Sequence, residues 1–288
     1  MNTGNGFIAL LLALLSFLGS LFGVSDEPSG YNAEAPEDGV VTVHFIDVGQ
    51  GDCSFIQLPD GKNMLIDAGN NGDIKKIKSY LDSCGAERID YLVGTHPHAD
   101  HIGALDDVIK AYDIGEIYMP RVEADTKTYR DVLSAISEKG MKIKTARRGV
   151  VIFDENGARA EILAPCGGNY DDLNDYSAVI RLSFGENAFL FQGDAEKTSE
   201  SEILKSGASV SADVIKAGHH GSSSSSTEKY IRAVDPAYAV VSCGKNNDYG
   251  HPHRETVALF KKTGIELLRT DIDGSIVFVS DGKNIIKK

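Results

Sequence analysis

Residues Thr95 to Gly103 read T-H-P-H-A-D-H-I-G, so three of the chain's eight histidines and an aspartate fall within six positions. Imidazole and carboxylate at such spacing suit a borderline divalent cation such as Zn²⁺, Fe²⁺ or Mn²⁺. The alternate residues His96 and His98 can point to one centre, and Asp100 and His101, past the turn, to a second. A polar loop capping a helix would need one such residue rather than four. Further groups of the same kind recur along the chain. Asp194 lies in Q-G-D-A-E, His219 and His220 in K-A-G-H-H-G, and His251 and His253 in Y-G-H-P-H.

Each group follows a strand-like run. Ile89 to Gly94 is a short apolar strand ahead of the first histidines, and strands at 188–192, 212–216 and 237–242 precede the others. Only His44 falls inside a strand, where it reads as an ordinary strand residue. Groups that leave a strand end are held firmly and still reach solvent. Strands are also expected at 40–48, 52–58, 63–67, 142–153, 158–164, 178–184, 265–269, 275–280 and 284–287, with tight turns at Pro59-Asp60-Gly61, Glu155-Asn156-Gly157 and Glu186-Asn187. Helical patterns fall at 73–83, 101–111, 126–139, 195–206, 227–234 and 254–263. Hairpins mixed with helices predict an α/β fold of sheets covered by helices on their outer faces, a single domain over 40–288.

The N-terminus is a different material. Phe7 to Val24 is uncharged and nearly all apolar. As a helix it would span roughly 27 Å, at the lower edge of a bilayer crossing. Residues 1–25 are therefore read as a signal peptide or membrane anchor, and the polar 26–39 as a linker, which places the domain outside the membrane. The four cysteines form no C-x-x-C pair, and Cys53 and Cys243 sit in apolar runs as small buried residues. A net charge of −13 argues against a protein that coats nucleic acid, though not against an enzyme that touches it locally. Lys139, Lys142, Lys144, Arg147 and Arg148 form the one dense basic patch, a candidate phosphate track but better read as a helix end and an edge strand guarded by lysines.

The motif T-H-P-H-A-D-H resembles the H-x-H-x-D-H signature of the metallo-β-lactamase superfamily. The order of Leu65-Ile66-Asp67-Ala68-Gly69, the histidine cluster, Gly193-Asp194 and His219 is similar to that family as well. The stretches D-V-G-Q-G-D (Asp47 to Asp52), N-x-x-S (Asn174 to Ser177), K-A-G-H-H-G-S (Lys216 to Ser222) and N-N-D-Y-G-H-P-H (Asn246 to His253) look like the metallo-β-lactamase-type domain of ComEC-type competence proteins, over roughly residues 40–283. Those proteins carry a many-span channel, and this chain has at most one span.

The resemblance implies an αββα sandwich with a two-metal site at the sheet edges. His96 and His98 would serve one ion, and Asp100, His101 and His219 the other. Asp194 would bridge them, and Asp67 would orient loop groups from behind. No histidine occurs between His101 and His219, so the usual third imidazole of the first ion is missing; Asn174, a neighbouring aspartate or a water would substitute. Two ions, zinc or manganese, would lower the pKa of a bridging water so that the hydroxide attacks a phosphodiester. Asp100, Asp194 and His253 (less so His251) are the expected catalytic groups. Ser177, His220 and Ser222 are expected behind the ligands or beside the substrate. The run Ser222 to Ser226 reads either as oxyanion donors or as a flexible loop. The expected substrate is DNA or another phosphodiester. The alternatives are a small or cell-wall diester such as phosphocholine, and a non-catalytic metal-binding surface module.

Overall fold

The computed structural model describes residues 39–288. The expected signal or anchor segment (1–25) and all but the last residue of the expected linker (26–39) lie outside the described residues. The first of two sheets runs β15 (Ile285–Lys287), β14 (Ile276–Ser280), β1 (Val41–Phe45), β2 (Ser54–Gln57), β3 (Asn63–Ile66), β4 (Arg88–Val93), β5 (Asp113–Met119), β6 (Ile143–Thr145). The second runs β13 (Glu266–Arg269), β12 (Tyr238–Val241), β11 (Val214–Lys216), β10 (Asn187–Phe191), β9 (Val179–Phe184), β8 (Ala158–Ala164), β7 (Val151–Glu155). The helices are α1 (Ile74–Ser83), α2 (Ala99–Ile102), α3 (Leu105–Ala111), α4 (Lys127–Glu138), α5 (Lys197–Lys205), α6 (Glu228–Val234), α7 (Arg254–Thr263) and α8 (Thr270–Asp273).

The sheets face each other across an apolar layer. Val41, Val43, Phe45, Met64 and Phe278 of the first meet Ile162, Ile180, Phe189 and Phe191 of the second. Phe45 and Phe191 meet at 5.8 Å between ring centres, and Phe189 and Phe278 at 6.4 Å. A further apolar layer joins Leu190 and Ile215 of the second sheet to Tyr230 and Ile231 of α6 and Phe260 of α7. On the first sheet, His44 points away from Val43 and Phe45 and reaches Tyr80 of α1. This is the αββα sandwich that the sequence predicts. Two expectations change. The single strand at 142–153 is two strands in different sheets, because a turn with Gly149 at φ +83° carries the chain across. And β5 lies where the sequence reading places no strand; its Gly115 is required, since a Cβ there would stand 2.5 Å from the Asp90 carbonyl of β4.

His44 is fully buried, with Nε2 3.2 Å from Gln57 Oε1 and Nδ1 3.1 Å from the Tyr80 hydroxyl. Burial lowers its pKa to about 4, against the smaller opposing effect of the Gln57 hydrogen bond. A lowered imidazole pKa gives stability that is complete above the unfolded value near 6.5 and is lost as pH falls from there toward 4. At about 1.4 kcal/mol per pKa unit the expected loss is on the order of 3 kcal/mol. Urea unfolding at both ends of that range, with chelator present, should show a clearly smaller pH dependence in His44→Gln than in the unaltered chain.

Topology puts the chemistry on one edge. Strands β3, β4 and β5 are parallel, as are β10, β11, β12 and β13, so their C-terminal ends line up within each sheet. Because β2 runs antiparallel to both β1 and β3, the β1–β2 loop emerges at that edge too. Across the seam between the sheets, Ala178 donates its backbone N–H to the Thr95 carbonyl at 2.9 Å.

Candidate metal centre

Asp67 leaves β3 with φ +61° and its carboxylate turns back into the protein. One oxygen accepts the Thr95 backbone N–H at 2.7 Å; the other accepts the Thr95 hydroxyl at 2.7 Å and faces His101 Nδ1 at 2.8 Å. With Nδ1–H given to Asp67, the other ring nitrogen of His101 is aimed at Asp194, whose Oδ1 lies 3.1 Å away. His220 repeats the pattern: Nδ1 donates to the Ser242 carbonyl at 2.9 Å, and Nε2 lies 3.2 Å from Asp100 Oδ2 and 3.6 Å from Asp194 Oδ2. Asp100 does not cap α2; it sits in that helix's first turn and reaches across to His220.

Asp100, His101, Asp194 and His220 thus offer four donor atoms within 4.8 Å of one another. His101 Nε2 and Asp194 Oδ1 are buried and make no aligned hydrogen bond with any group. Buried polar atoms without partners are costly, so such a convergence fits a cation. The electrostatics agree. Burial opposes the charged form of His101 and of His220, yet the carboxylates of Asp194, Asp67 and Asp52 push His101 well up, and Asp194 and Asp52 push His220 up to about 9. Burial likewise opposes ionised Asp194, and His101 and His220 overcome it and hold its pKa well down. The same field that favours protonated imidazoles would favour a divalent ion in their midst.

His96 lies beside this group. Its Nε2 is 3.0 Å from His98 Nδ1 and 3.9 Å from Asp194 Oδ2, and burial, then the neighbouring His101, drives its pKa well down. Ser177 Oγ contacts His96 Nδ1 at 3.3 Å and accepts the Asp194 backbone N–H at 3.0 Å, fixing both. Asn174 is buried with its Oδ1 unpartnered. The aspartate next to it is occupied: Asp175 accepts the N–H groups of Glu196 and Ser199 at the start of α5, so it is a helix cap rather than a substitute ligand.

The two adjacent histidines are not placed as the resemblance implied. His220, not His219, completes the four-donor group. Both residues are left-handed, at φ +49° and +51°, which turns adjacent side chains to different tasks. His219 gives its Nδ1 to Glu196 Oε1 at 3.0 Å, with Ser224 Oγ 3.3 Å away, and its Nε2 lies 3.8 Å from Asp194 Oδ2. His253 is also displaced from its expected role. Its Nδ1 accepts the Ser223 backbone N–H at 3.0 Å and its Nε2 faces the Tyr249 carbonyl at 3.2 Å, so both nitrogens are engaged. His251 is the residue set against the donors, 6.1 Å from the His220 ring and 5.5 Å from that of His219. The serine run is anchored rather than loose: Ser225 donates its hydroxyl to the Ala195 carbonyl at 2.8 Å, and Ser226 donates its backbone N–H to the buried Glu200.

Two residues beneath the donors had no assigned role in the sequence. Lys216, only 2% exposed, pairs with buried Asp52 and donates to the Gly193 carbonyl at 3.1 Å. Asp52 lies 3.3 Å from His220 Nδ1 and 3.8 Å from His101 Nδ1, and its backbone N–H donates to the Asp100 carbonyl at 3.0 Å. Asp52, Asp67 and His101 also cluster tightly enough to hold a cation, but there the Lys216 ammonium already supplies the positive charge. Gly51 makes this packing feasible, because a Cβ would come within 2.6 Å of the Asp100 carbonyl. The signal was a single lysine in an apolar strand, V-I-K-A. The basic patch is largely spent elsewhere: Lys144 pairs with Glu116, and Lys139 and Arg148 bond the carbonyls of Tyr112 and Ser206. It borders β6, an edge strand, as its lysines suggested.

A sandwich of two mixed sheets with His and Asp donors gathered at one edge defines a class. The family model for the metallo-beta-lactamase superfamily matches residues 46–245, and the chain belongs to that superfamily. Within it the chain is similar to ComEC-type competence proteins. It is 31% identical over 254 residues to ComE operon protein 3 of Bacillus subtilis, covering 82% of this chain and 32% of that protein. To Competence protein ComA of Neisseria gonorrhoeae it is 31% identical over 250 residues, covering 86% and 33%. The chain thus spans about a third of the length of these relatives. Among solved structures the fold is similar to Igni18, a metallo hydrolase of Ignicoccus hospitalis, with a TM-score of 0.56, 14% identity, and coverage of 82% of this chain and 98% of that one.

Proposed function

We propose that this domain is a metal-dependent phosphodiester hydrolase that cuts DNA outside the membrane. The observation that carries the reading is the convergence of donor atoms of Asp100, His101, Asp194 and His220 within 4.8 Å of one another, two of which, His101 Nε2 and Asp194 Oδ1, are buried without an aligned hydrogen bond among the described residues. We assign two divalent ions, zinc or manganese. Asp100, His101 and His220 would hold one and His96 and His98 the other, with Asp194 between. We assign His219 to the His96 side in place of the missing imidazole: its Nε2 lies 3.8 Å from the Asp194 oxygen that His96 approaches at 3.9 Å, while His220, 3.6 Å from that oxygen, is already held against Asp100. Bound there, the ions would supply the Lewis acidity that activates water near neutral pH and offsets the negative charge on the phosphoryl oxygens.

The chain's own groups fix that arrangement. Asp67, Ser242 and Glu196 hold the Nδ1 atoms of His101, His220 and His219, which sets the tautomer that presents Nε2 inward. The competence names of the relatives support DNA as the substrate, and the apolar segment 7–24 supports an exported domain. The net charge of −13 favours a second reading, a small diester such as phosphocholine.

The test gives the purified chain Mn²⁺ or Zn²⁺, single- and double-stranded DNA, and a small diester, and measures bound metal by elemental analysis. Degradation of DNA with close to two ions per chain is expected. Cleavage of small diesters alone would select the second reading. No turnover with either metal, and fewer than two ions bound, would leave a binding module instead.

A further inference from the structure

Two aromatic rings, Tyr249 and His251, stand in file between solvent and the donor His220. Tyr249 stacks on His251 at 5.6 Å and 22°, and His251 stacks on His220 at 6.1 Å and 25°. Tyr249 is 66% exposed. Its loop is nevertheless braced. Asn247 donates from Nδ2 to the carbonyls of Gly244 and His251, at 2.9 and 2.7 Å, and accepts the His251 N–H at 2.9 Å. The ring is therefore displayed on a fixed support. His251 is 8% exposed, and its Nδ1 has no hydrogen-bond partner among the described residues. Beside the loop opens a polar cleft of about 630 Å³, lined by Lys245, Asn246, His251, Arg269 and Ile272 among others. Arg269 is committed to Asp271, whereas Lys245 is exposed and makes no ion pair among the described residues.

We propose that Tyr249 and His251 form a stacking platform for a nucleobase, with the cleft and Lys245 taking the sugar–phosphate next to the bond that is cut. The inference rests on the phosphodiesterase reading and narrows its substrate to diesters that carry a base. A flat, exposed ring over a second ring, next to a lysine, fits a base and its neighbouring phosphate. Stacking is indifferent to base identity because every base has a π-face. A choline cation is also drawn to an aromatic face, but the ammonium of Lys245 lining the adjacent cleft works against it.

The experiment compares the unaltered full chain with Tyr249→Ala and Tyr249→Phe on two short single strands of equal length, one of thymidines and one of abasic residues. Binding is read separately from the quenching of 2-aminopurine placed in the strand, which reports stacking without turnover. The expected kcat/KM is about tenfold higher for the thymidine strand. Tyr249→Ala should bring that strand down to the abasic level, leave abasic cleavage unchanged and abolish quenching, and Tyr249→Phe should restore all three. Equal cleavage of both strands by the unaltered chain, or an equal loss on both in Tyr249→Ala, overturns the platform while leaving the phosphodiesterase standing. If neither strand is cut, that reading fails, and the platform then stands or falls on quenching: present in the unaltered chain and absent in Tyr249→Ala, or not.

Discussion

Asp194→Ala is expected to lose at least about a hundredfold of metal-dependent phosphodiester cleavage while the sandwich stays folded. The magnitude follows from position: changes to residues that merely orient a ligand cost 10- to 100-fold, and Asp194 stands between both sets of donors. Asp194 is not one of the residues that build the apolar layer between the sheets, so its replacement leaves that layer's side chains in place. The same variant should bind less metal, because Asp194 is shared by both assigned ions. Circular dichroism, elemental analysis and the cleavage assay on one preparation separate these effects. Unchanged cleavage in a folded Asp194→Ala protein would sink the bridging assignment.

Lys216→Met is expected to destabilise the protein by about 3–5 kcal/mol, the cost of leaving a buried partner charge alone. Asp52 is the group left behind, since burial already opposes its charge and Lys216 is the largest influence holding its pKa down. The double variant Lys216→Met, Asp52→Asn should recover much of the loss, because no unpaired charge then remains. Urea unfolding of the three proteins in chelator measures the coupling directly. If the double variant is as unstable as Lys216→Met, the lysine acts through packing and its Gly193 hydrogen bond instead of its charge.

Much of this site could be read before any coordinates. Three histidines and an aspartate after an apolar run announce metal chemistry, and the strand-then-loop rhythm predicts that Asp194, His219–His220 and His251 gather at one edge. What stayed hidden depended on backbone direction and on partners far away in sequence. Nothing in H-H says which ring turns inward; two left-handed residues decide it. His253 looked available because its partners, Ser223 and the Tyr249 carbonyl, come from folded loops. Asp52 and Lys216 are 164 positions apart, and only the meeting of the β1–β2 loop with β11 makes them a pair. The strand β5 was missed because Gly115 meant close approach to Asp90, which local propensity cannot register.

The donors are drawn from both sides of the seam: Asp100 and His101 follow a strand of the first sheet, Asp194 and His220 strands of the second. The centre is thereby a gauge of how the two halves sit against each other. A shift of half an ångström in the Phe45–Phe191 layer, negligible for an ordinary core, would be transmitted to atoms whose usefulness depends on tenths of an ångström. Residues that never approach a substrate thus set the tolerance of the chemistry, and the apolar filling between the sheets belongs to the catalytic apparatus as a spacer.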